Sequence, residues 1–569
     1  MTDKLEQYRQ VSAPLPKTYK LWPLYGAGLE NLGKDGQPIE VPMPSYGPDE
    51  LLIRHDACGL CFSDIKVITQ GQNHPRIYKD MQKDPVVLGH EVAMTVVGVG
   101  ENLRDRYKVG DRLSMEPEIF VNGRSLAYGY WFQGGLSQYS VLGPEFYNND
   151  HGNNLIKVNP ERGYAEIGLA EPWACVVAAY TLKYRTAIKP GGTLWIIGAG
   201  DNRPFTISSG FDAQSHPARL LLSNVPEPFC GWLKARAAEL GVEVTEVLDL
   251  AAPPVEFADD IVVLGPNPDV IEQVSPHLEQ FGILAIMAQA PMPRKTNVDV
   301  GRIHYHRWVY VGSTGLDVAA AYRDVPVRSA LRPGGKAWFV GAGGPMGRMH
   351  VQRAIEFHNP PATIVCTDVS DMRLGELCES FADQAKEKGI EFICLNPMNK
   401  ESYAEGMAPF KQSGFDDIIV LAPIPPVISD AATYLAPKGV MNVFAGVARG
   451  TMTAIDLSDA YLKDTRVIGH SASAMEDMLL VLDKTYSGEL SPNRSVAAVG
   501  SLSAAKDGLK AVKDATLAGK VVIYPNIKEL PLTPLSELKE KMPSVYALLN
   551  ERGEWTNEAE AEFLRLMLP

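Results

Sequence analysis

Two stretches of the chain share one rhythm of apolar and polar positions. In the first, Leu194–Ile197, the run "ARLLLSN" (Ala218–Asn224), Ile261–Leu264 and Gly282–Leu284 are strand-length and apolar, with helix-length mixed segments between them. The second repeats the series in "KAWFV" (Lys336–Val340), "ATIVCTD" (Ala362–Asp368), Ile418–Leu421 and Gly439–Met441. Such alternation predicts a parallel sheet covered by helices, once in each stretch. Placing Gly198 on Gly341, an offset of 143, superimposes Pro-Gly-Gly, a tryptophan and Gly-Ala-Gly. From Asp259-Asp260 on Asp416-Asp417 the offset is 157, and it still holds at Gly312 on Gly469. The ordered matches read as a duplication, with the second stretch 14 residues longer between its first and fourth strands.

The loops after the first strands differ. A glycine-rich turn between a strand and a helix lets the backbone approach a pyrophosphate, which then rests on the helix N-terminus. The second stretch supplies Gly341, Gly343 and Gly344, then Pro345, Met346 and Gly347 opening a helix predicted over 346–357. Its second strand ends in Asp368, near the spacing of an acid that bonds a ribose 2′-hydroxyl, which favours NAD over NADP. The alternative is that Asp368 is a turn residue at the strand end. In the first stretch Gly344 is replaced by Asp201, Gly347 by Pro204 and Asp368 by Asn224. That copy reads as a degenerate dinucleotide fold serving as a spacer, a wall of the active site or a subunit contact, or as one whose loop Asp201-Asn202-Arg203 takes a polar ligand of its own.

The first 180 residues have another texture, with strand and turn patterns such as "GVGENLRDRYKVGDRL" (Gly98–Leu113) and "GGLSQYSVL" (Gly134–Leu142). Among them stand "ACGLCFSD" (Ala57–Asp64), "LGHE" (Leu88–Glu91) and later "AEPWACVVAAY" (Ala170–Tyr180). A catalytic zinc takes three protein ligands and keeps a position open. Cys61 offers a thiolate, His90 an imidazole, and Glu91 or Glu171 a carboxylate. At the far end, Leu535–Leu568 reads as amphipathic helices.

Composition narrows the partners. The 569 residues, 45% apolar and 21% charged, carry a net charge of −14, which disfavours nucleic acid or an anionic membrane as partner. No apolar run reaches membrane-spanning length, and Met1–Glu6 has no signal-peptide core. Seven scattered cysteines point away from a disulfide framework and toward a reducing, cytoplasmic setting.

With G-x-C-x-S-D at Gly59–Asp64, G-H-E at Gly89–Glu91, V-G-D-R at Val109–Arg112, G-G-x-x-x-Y at Gly134–Tyr139 and E-P at Glu171-Pro172, the chain resembles the zinc-dependent medium-chain dehydrogenases/reductases. The likeness is to their polyol and sugar-phosphate branch. It implies an α/β protein with a β-rich GroES-like catalytic domain (1–190), an NAD-binding Rossmann domain (331–475) and a C-terminal segment returning to the first (476–569); the degenerate Rossmann-like domain (191–330), read from the repeat, has no counterpart there as a separate domain. It implies that Cys61 and His90 bind one catalytic zinc, with Glu91 and Glu171 as candidates for the remaining coordination. Ser63 would bond the substrate oxygen and pass its proton outward, and Asp64 would orient a ligand. The absence of cysteine from residues 92–174 leaves no four-cysteine structural zinc site.

The resemblance further implies a small-molecule polyol, sugar or sugar-phosphate substrate, hydride exchange with NAD, and a homodimer or homotetramer. Phe62, Tyr130, Trp131 and Trp173 are candidate pocket residues. His74 and Arg76, or Arg302, His304, His306 and Arg307, are candidate phosphate groups. A transient use of NAD without net redox and a non-catalytic nucleotide-binding protein are the competing readings.

Overall fold

The computed structural model describes residues 4–323 and 328–569. Met1–Asp3, part of the stretch read above for a signal-peptide core, lie outside the described residues. The fold is α/β, with one mostly antiparallel sheet and two six-stranded parallel sheets. By contacts the chain divides into two units, one made of 1–177, 344–349 and 472–569, the other of 178–343 and 350–471.

In the first unit, β1 (Leu51–Gly59) and β2 (Glu91–Val99) pair antiparallel and are buried almost throughout. The helix α1 (Phe62–Gln70) leaves directly from the end of β1. β3 (Arg112–Met115) extends the sheet from β2, β4 (Tyr139–Leu142) pairs with β1, and β5 (Leu155–Lys157) pairs with β3. The helix α2 spans Ala170–Ala178. The end of the chain completes the sheet: the strand Lys520–Tyr524 joins β1 with Ile523 opposite Cys58 and Val522 opposite Gly59. The helix Asn557–Met567 buries Glu560, whose carboxylate accepts the Ala165 N–H and the Tyr524 hydroxyl, each at 2.7 Å. Of the amphipathic segment expected over 535–568, only this part is a helix of more than one turn. Pro543 starts a separate turn, and Gly553, at φ +73°, stands in the bend before Thr556 caps the last helix.

The second unit holds both repeats. The first contributes β6 (Thr193–Gly198), β7 (Arg219–Ser223), β8 (Glu243–Glu246), β9 (Ala258–Leu264), β10 (Leu278–Met287), β11 (Thr296–Asp299), the helix α3 (Val300–His306) and β12 (Val309–Ser313). The second contributes β13 (Lys336–Val340), β14 (Thr363–Thr367), β15 (Glu391–Leu395), β16 (Phe415–Val420), β17 (Leu435–Val443), β18 (Met452–Ile455), the helix α4 (Asp459–Leu462) and β19 (Arg466–Gly469). The sheets run β8-β7-β6-β9-β10-β12 and β15-β14-β13-β16-β17-β19, both wholly parallel. In both, the order reverses at the first strand, as in dinucleotide-binding sheets.

The likeness reaches individual atoms. Leu194 pairs with Asp260 in the first sheet, and their equivalents Ala337 and Asp417 pair in the second. Buried Asp260 accepts the Lys189 N–H at 2.8 Å and holds Arg185 at 3.0 Å. Asp417 accepts the Arg332 N–H at 2.8 Å and holds Arg328. Burial, only partly opposed by the arginine, raises the pKa of both aspartates. Trp195 donates to Ser223 and Trp338 to Thr367, both at 3.0 Å. The loops then diverge. A helix, Pro345–Glu356, follows β13, whereas residues 199–218 after β6 form turns without a helix. There Arg203 folds back on Asp201 at 2.8 Å, and Pro204 brings no N–H to a helical turn.

Cys378 and Cys394 form a disulfide, and the five other cysteines form none. A single bridge across 16 residues is no framework.

Removing a buried acid strands its arginine. Asp417→Ala is expected to lower the unfolding free energy by about 3–5 kcal/mol, and Asp260→Ala by a similar amount, in denaturant titrations followed by tryptophan fluorescence. A loss below about 1 kcal/mol for either would match an exposed pair instead.

Candidate metal centre and nucleotide loop

The centre forms where β1 ends and β2 begins. After Gly59 the Leu60 N–H bonds Val521 on the C-terminal strand at 3.0 Å. Cys61 then caps α1: its carbonyl accepts the backbone N–H of Asp64 at 3.1 Å, and the Asp64 carboxylate accepts the Cys61 N–H at 2.9 Å. These two bonds close the turn and set Cys61 at the helix start. The other Asp64 oxygen accepts the Gly89 N–H at 3.3 Å and lies 3.5 Å from His90 Nδ1. One buried carboxylate thus ties the G-x-C-x-S-D turn to the G-H-E turn. Gly89 has φ +98°, and a Cβ there would stand 2.6 Å from the Cys58 sulfur, so the position needs glycine.

Cys61 Sγ, a His90 ring nitrogen and a Glu91 carboxylate oxygen lie within 4.8 Å of one another. His90 and Glu91 are buried. Ser63 Oγ donates to Cys61 Sγ at 2.9 Å and lies 3.3 Å from His90 Nε2. Glu91 Oε1 is held by the buried Lys520 ammonium, while Oε2 is buried with no hydrogen-bond partner. Gly59 leaves the space for that carboxylate, since a Cβ there would collide with Oε2. Glu171, 8% exposed, stands outside the three-donor group and accepts from Cys175 Sγ at 3.7 Å.

The charges explain the titration. Burial first, then the neighbouring Glu91, push the Glu171 carboxyl up to about 7, against the pull of His90 and Lys520. Burial works against a charged His90, but Asp64 and Cys61 outweigh it and raise its pKa well above the usual value. Burial likewise opposes the Lys520 charge, which Glu91 more than restores. Acidic groups outnumber basic ones in this buried cluster, and an unpaired buried charge is costly. A thiolate, an imidazole and a carboxylate with one bare oxygen form a donor set suited to Zn²⁺. The residues present fit the metal.

Of the aromatic candidates, Tyr130 stands at the centre, its ring 6.2 Å from that of His90. Burial raises its hydroxyl to about 12. Trp173 is fully buried and donates to Ser495 at 3.1 Å, Phe62 is 56% exposed, and Trp131 gives its carbonyl to Lys79. His74 lies 5.5 Å from the Tyr130 ring, and the Arg76 guanidinium lies 4.7 Å over it. Arg76 also pairs with Glu118 and donates to Ser125 at 3.0 Å, while its Nε is buried without a partner. Burial, with Arg76 and Lys66 nearby, lowers His74 to about 4, so it is neutral at pH 7. The second basic cluster is otherwise employed: His304 is buried at 3.1 Å from the Val443 carbonyl, and Arg302 pairs with Asp299.

Lys520 escaped the sequence reading. Its signal was a lysine opening the apolar run "KVVIY", a strand otherwise buried along its length. Glu116 was missed as well; it is buried, accepts from Ser473 at 2.7 Å, and has its pKa raised by burial.

In the second repeat, Gly341 takes φ +82°, and its N–H and that of Ala342 both reach the Thr367 carbonyl, at 2.8 and 2.9 Å. Gly343 donates to Asp368 at 3.0 Å, and a Cβ there would press on that carboxylate at 2.9 Å. Gly344 precedes the helix, and Pro345, Met346 and Gly347 form its first turn. Asp368 is buried, accepts the Ser370 N–H at 3.0 Å and pairs with Arg373 at 2.9 Å. It therefore braces the glycine loop and sets an arginine beside itself at the strand end. The strand order, the glycine turn and the following helix fit a dinucleotide in this copy.

Residues 47–147 match the alcohol dehydrogenase GroES-like domain. The chain is 24% identical to mannitol-1-phosphate 5-dehydrogenase of Aliivibrio fischeri, covering 93% of this chain and 91% of that protein. It is 20% identical to L-sorbose 1-phosphate reductase of Klebsiella pneumoniae, covering 94% and 96%. Sorbitol dehydrogenase of Bacillus subtilis is 31% identical over 28% of this chain and 45% of its own length. In three dimensions the fold is similar to 2R,3R-butanediol dehydrogenase from Bacillus subtilis, with a TM-score of 0.51 and 16% identity, covering 89% of this chain and all of that one.

Cys61→Ser and His90→Ala are expected to lose bound zinc in elemental analysis while keeping the far-ultraviolet dichroism of the parent. Lys520→Met should weaken zinc retention less than either, since it frees Glu91 without removing a donor. Full retention of zinc by both ligand variants would rule out the centre.

Proposed function

We propose that the chain is a zinc- and NAD-dependent oxidoreductase that interconverts a secondary alcohol of a polyol phosphate or sugar phosphate and its ketone. The observation that carries this reading is the grouping of half-buried Cys61 with buried His90 and Glu91, whose carboxylate keeps a bare oxygen. Cys61 and His90 would hold the zinc with Glu91 as the third ligand; Glu171, outside the group, would act through water. A zinc ion there would supply a Lewis acid that stabilises the alkoxide form of the substrate, and NAD would accept the hydride.

The chain's own residues do the rest. Ser63 Oγ, within reach of both Cys61 and His90, is placed to hold the substrate oxygen and carry its proton. Asp64 is a positioning residue, locking the His90 ring through Nδ1 so that Nε2 faces the centre. Glu171, titrating near neutrality, is placed to exchange protons with water at the working pH. Tyr130 walls the site and carries Arg76 on its face.

A phosphate on the substrate is the feature that Arg76 and Lys66 would read, with neutral His74 as a further donor. The names of the two relatives matched over nearly the whole chain, a mannitol-1-phosphate dehydrogenase and a sorbose 1-phosphate reductase, support the same substrate class. The nucleotide is assigned to the loop Gly341–Gly347 with Asp368 toward the ribose. The absence of a helix after β6 supports one cofactor per chain.

The test is an assay of NADH oxidation with ketose phosphates beside the free ketoses. Arg76→Ala is expected to raise KM for a phosphorylated substrate about 10- to 100-fold, the worth of one charge-assisted hydrogen bond, with little effect on an unphosphorylated analogue. Equal effects on both would remove Arg76 as a phosphate contact. Asp368→Ala should weaken NADH or relax the choice toward NADPH, and no change in either affinity would relocate the cofactor.

A further inference from the structure

The two repeats meet in a particular way. β11 and β18 pair antiparallel, with Thr296 opposite Ile455, Asn297 opposite Ala454 and Val298 opposite Thr453. Under the 157-residue relation Thr296 corresponds to Thr453, Asn297 to Ala454 and Val298 to Ile455. Exchanging the two copies therefore maps this ladder onto itself, with Asn297 and Ala454 on the axis. The packing around it obeys the same exchange. A Cβ on Gly312 of β12 would stand 2.7 Å from Cβ of Tyr461 in α4. The equivalent glycine, Gly469 of β19, would meet Cα of His304 in α3 at 2.9 Å, and His304 is the equivalent of Tyr461. Each copy's helix thus covers the other's last strand, and each strand has a glycine where the helix crosses. One hydrophobic cluster runs through both copies, including Trp308 and Tyr310 from the first and Tyr461 and Val467 from the second.

Reciprocal contact, in which residue i of one body meets j of the other and j meets i, defines the isologous interface of a two-fold homodimer. Two unlike domains of one chain have no physical reason to satisfy it. We infer that the first copy is a resident partner: it fills, within one chain, the place that a second subunit's nucleotide domain takes across such an interface. The chain is then a monomer in solution, and the homodimer or homotetramer expected from the resemblance does not carry over to it.

This accounts for what the first copy kept and what it lost. It kept the sheet, the Asp260–Arg185 tie and the paired edge, and it lacks the helix after β6 and has Asp201 and Pro204 in place of two of the glycines. It also has a task. Asp299 Oδ2 accepts the Gly450 N–H at 2.9 Å, the Val300 N–H reaches the Thr451 carbonyl at 3.1 Å, and His304 bonds the Val443 carbonyl. These contacts hold the segment leaving the carboxyl end of β17, the end of a parallel sheet at which ligands bind. The first copy steadies the second where a partner subunit would.

Sedimentation velocity on the full chain, from low to high micromolar concentration, tests the inference without reference to catalysis. A single species with the mass of one chain at every concentration is expected, with and without NADH. A dimer or tetramer as the dominant species would overturn it. A second measurement locates the ladder. In Asn297→Cys/Ala454→Cys, oxidation is expected to form an intrachain disulfide that runs as a monomer on a non-reducing gel. Covalent dimers from that double variant, absent from either single variant, would show that the ladder joins two chains, and would equally overturn the inference.

Discussion

The ion pair between Glu91 and Lys520 is the constraint on which the centre depends, because it joins two strands 429 residues apart in sequence. Burying both charges is costly, and the cost is recovered only if they meet and their remaining valences are used. Lys520 occupies one oxygen of the carboxylate that stands with Cys61 and His90, and leaves the other without a hydrogen-bond partner. The donor set is thus complete only when the C-terminal strand has docked beside Gly59. The centre is a product of chain closure as much as of the motifs that mark it.

Within the unit that holds both repeats, the physics is that of a shared core. The two sheets have one order, one register and equivalent buried aspartates, yet only one has a helix after its first strand. Retaining the sheet preserves packing that both copies need, whereas the loop after β6 had only a ligand to answer to. Loss of binding chemistry with retention of the interface is the pattern expected of a domain kept for support. It also reconciles the substitution of Asp201 and Pro204 for glycines with the burial of Phe205 and Phe211 behind them.

The repeats, their strands and the 143 and 157 offsets were legible in the sequence because period and glycine spacing are local signals. Cys61, His90 and Glu91 were legible through motifs, and the structure brings their donor atoms together. Glu171 was named with them; His90 and Glu91 act on its carboxyl, but it stands outside the three-donor group, and that separation depends on the packing of α2, which no spacing encodes. Lys520 could not be found locally, since its partner lies on another strand of the same sheet. Asp368 shows the limit of a spacing rule: it stands at the expected strand end, but its carboxylate also braces Gly343 and pairs with Arg373. Arg302 and His304 looked like a basic cluster in one dimension; His304 turned out to meet the Val443 carbonyl of the other repeat, while Arg302 pairs with Asp299 in its own.

One measurement tests the central claim most directly: titration of the purified chain with NADH by fluorescence, with zinc determined by elemental analysis on the same sample. The account predicts one NADH and one zinc per chain, from the single intact glycine loop and the single buried donor group. Two NADH per chain, or tight NADH binding by protein that holds no zinc when prepared without chelators, would contradict it.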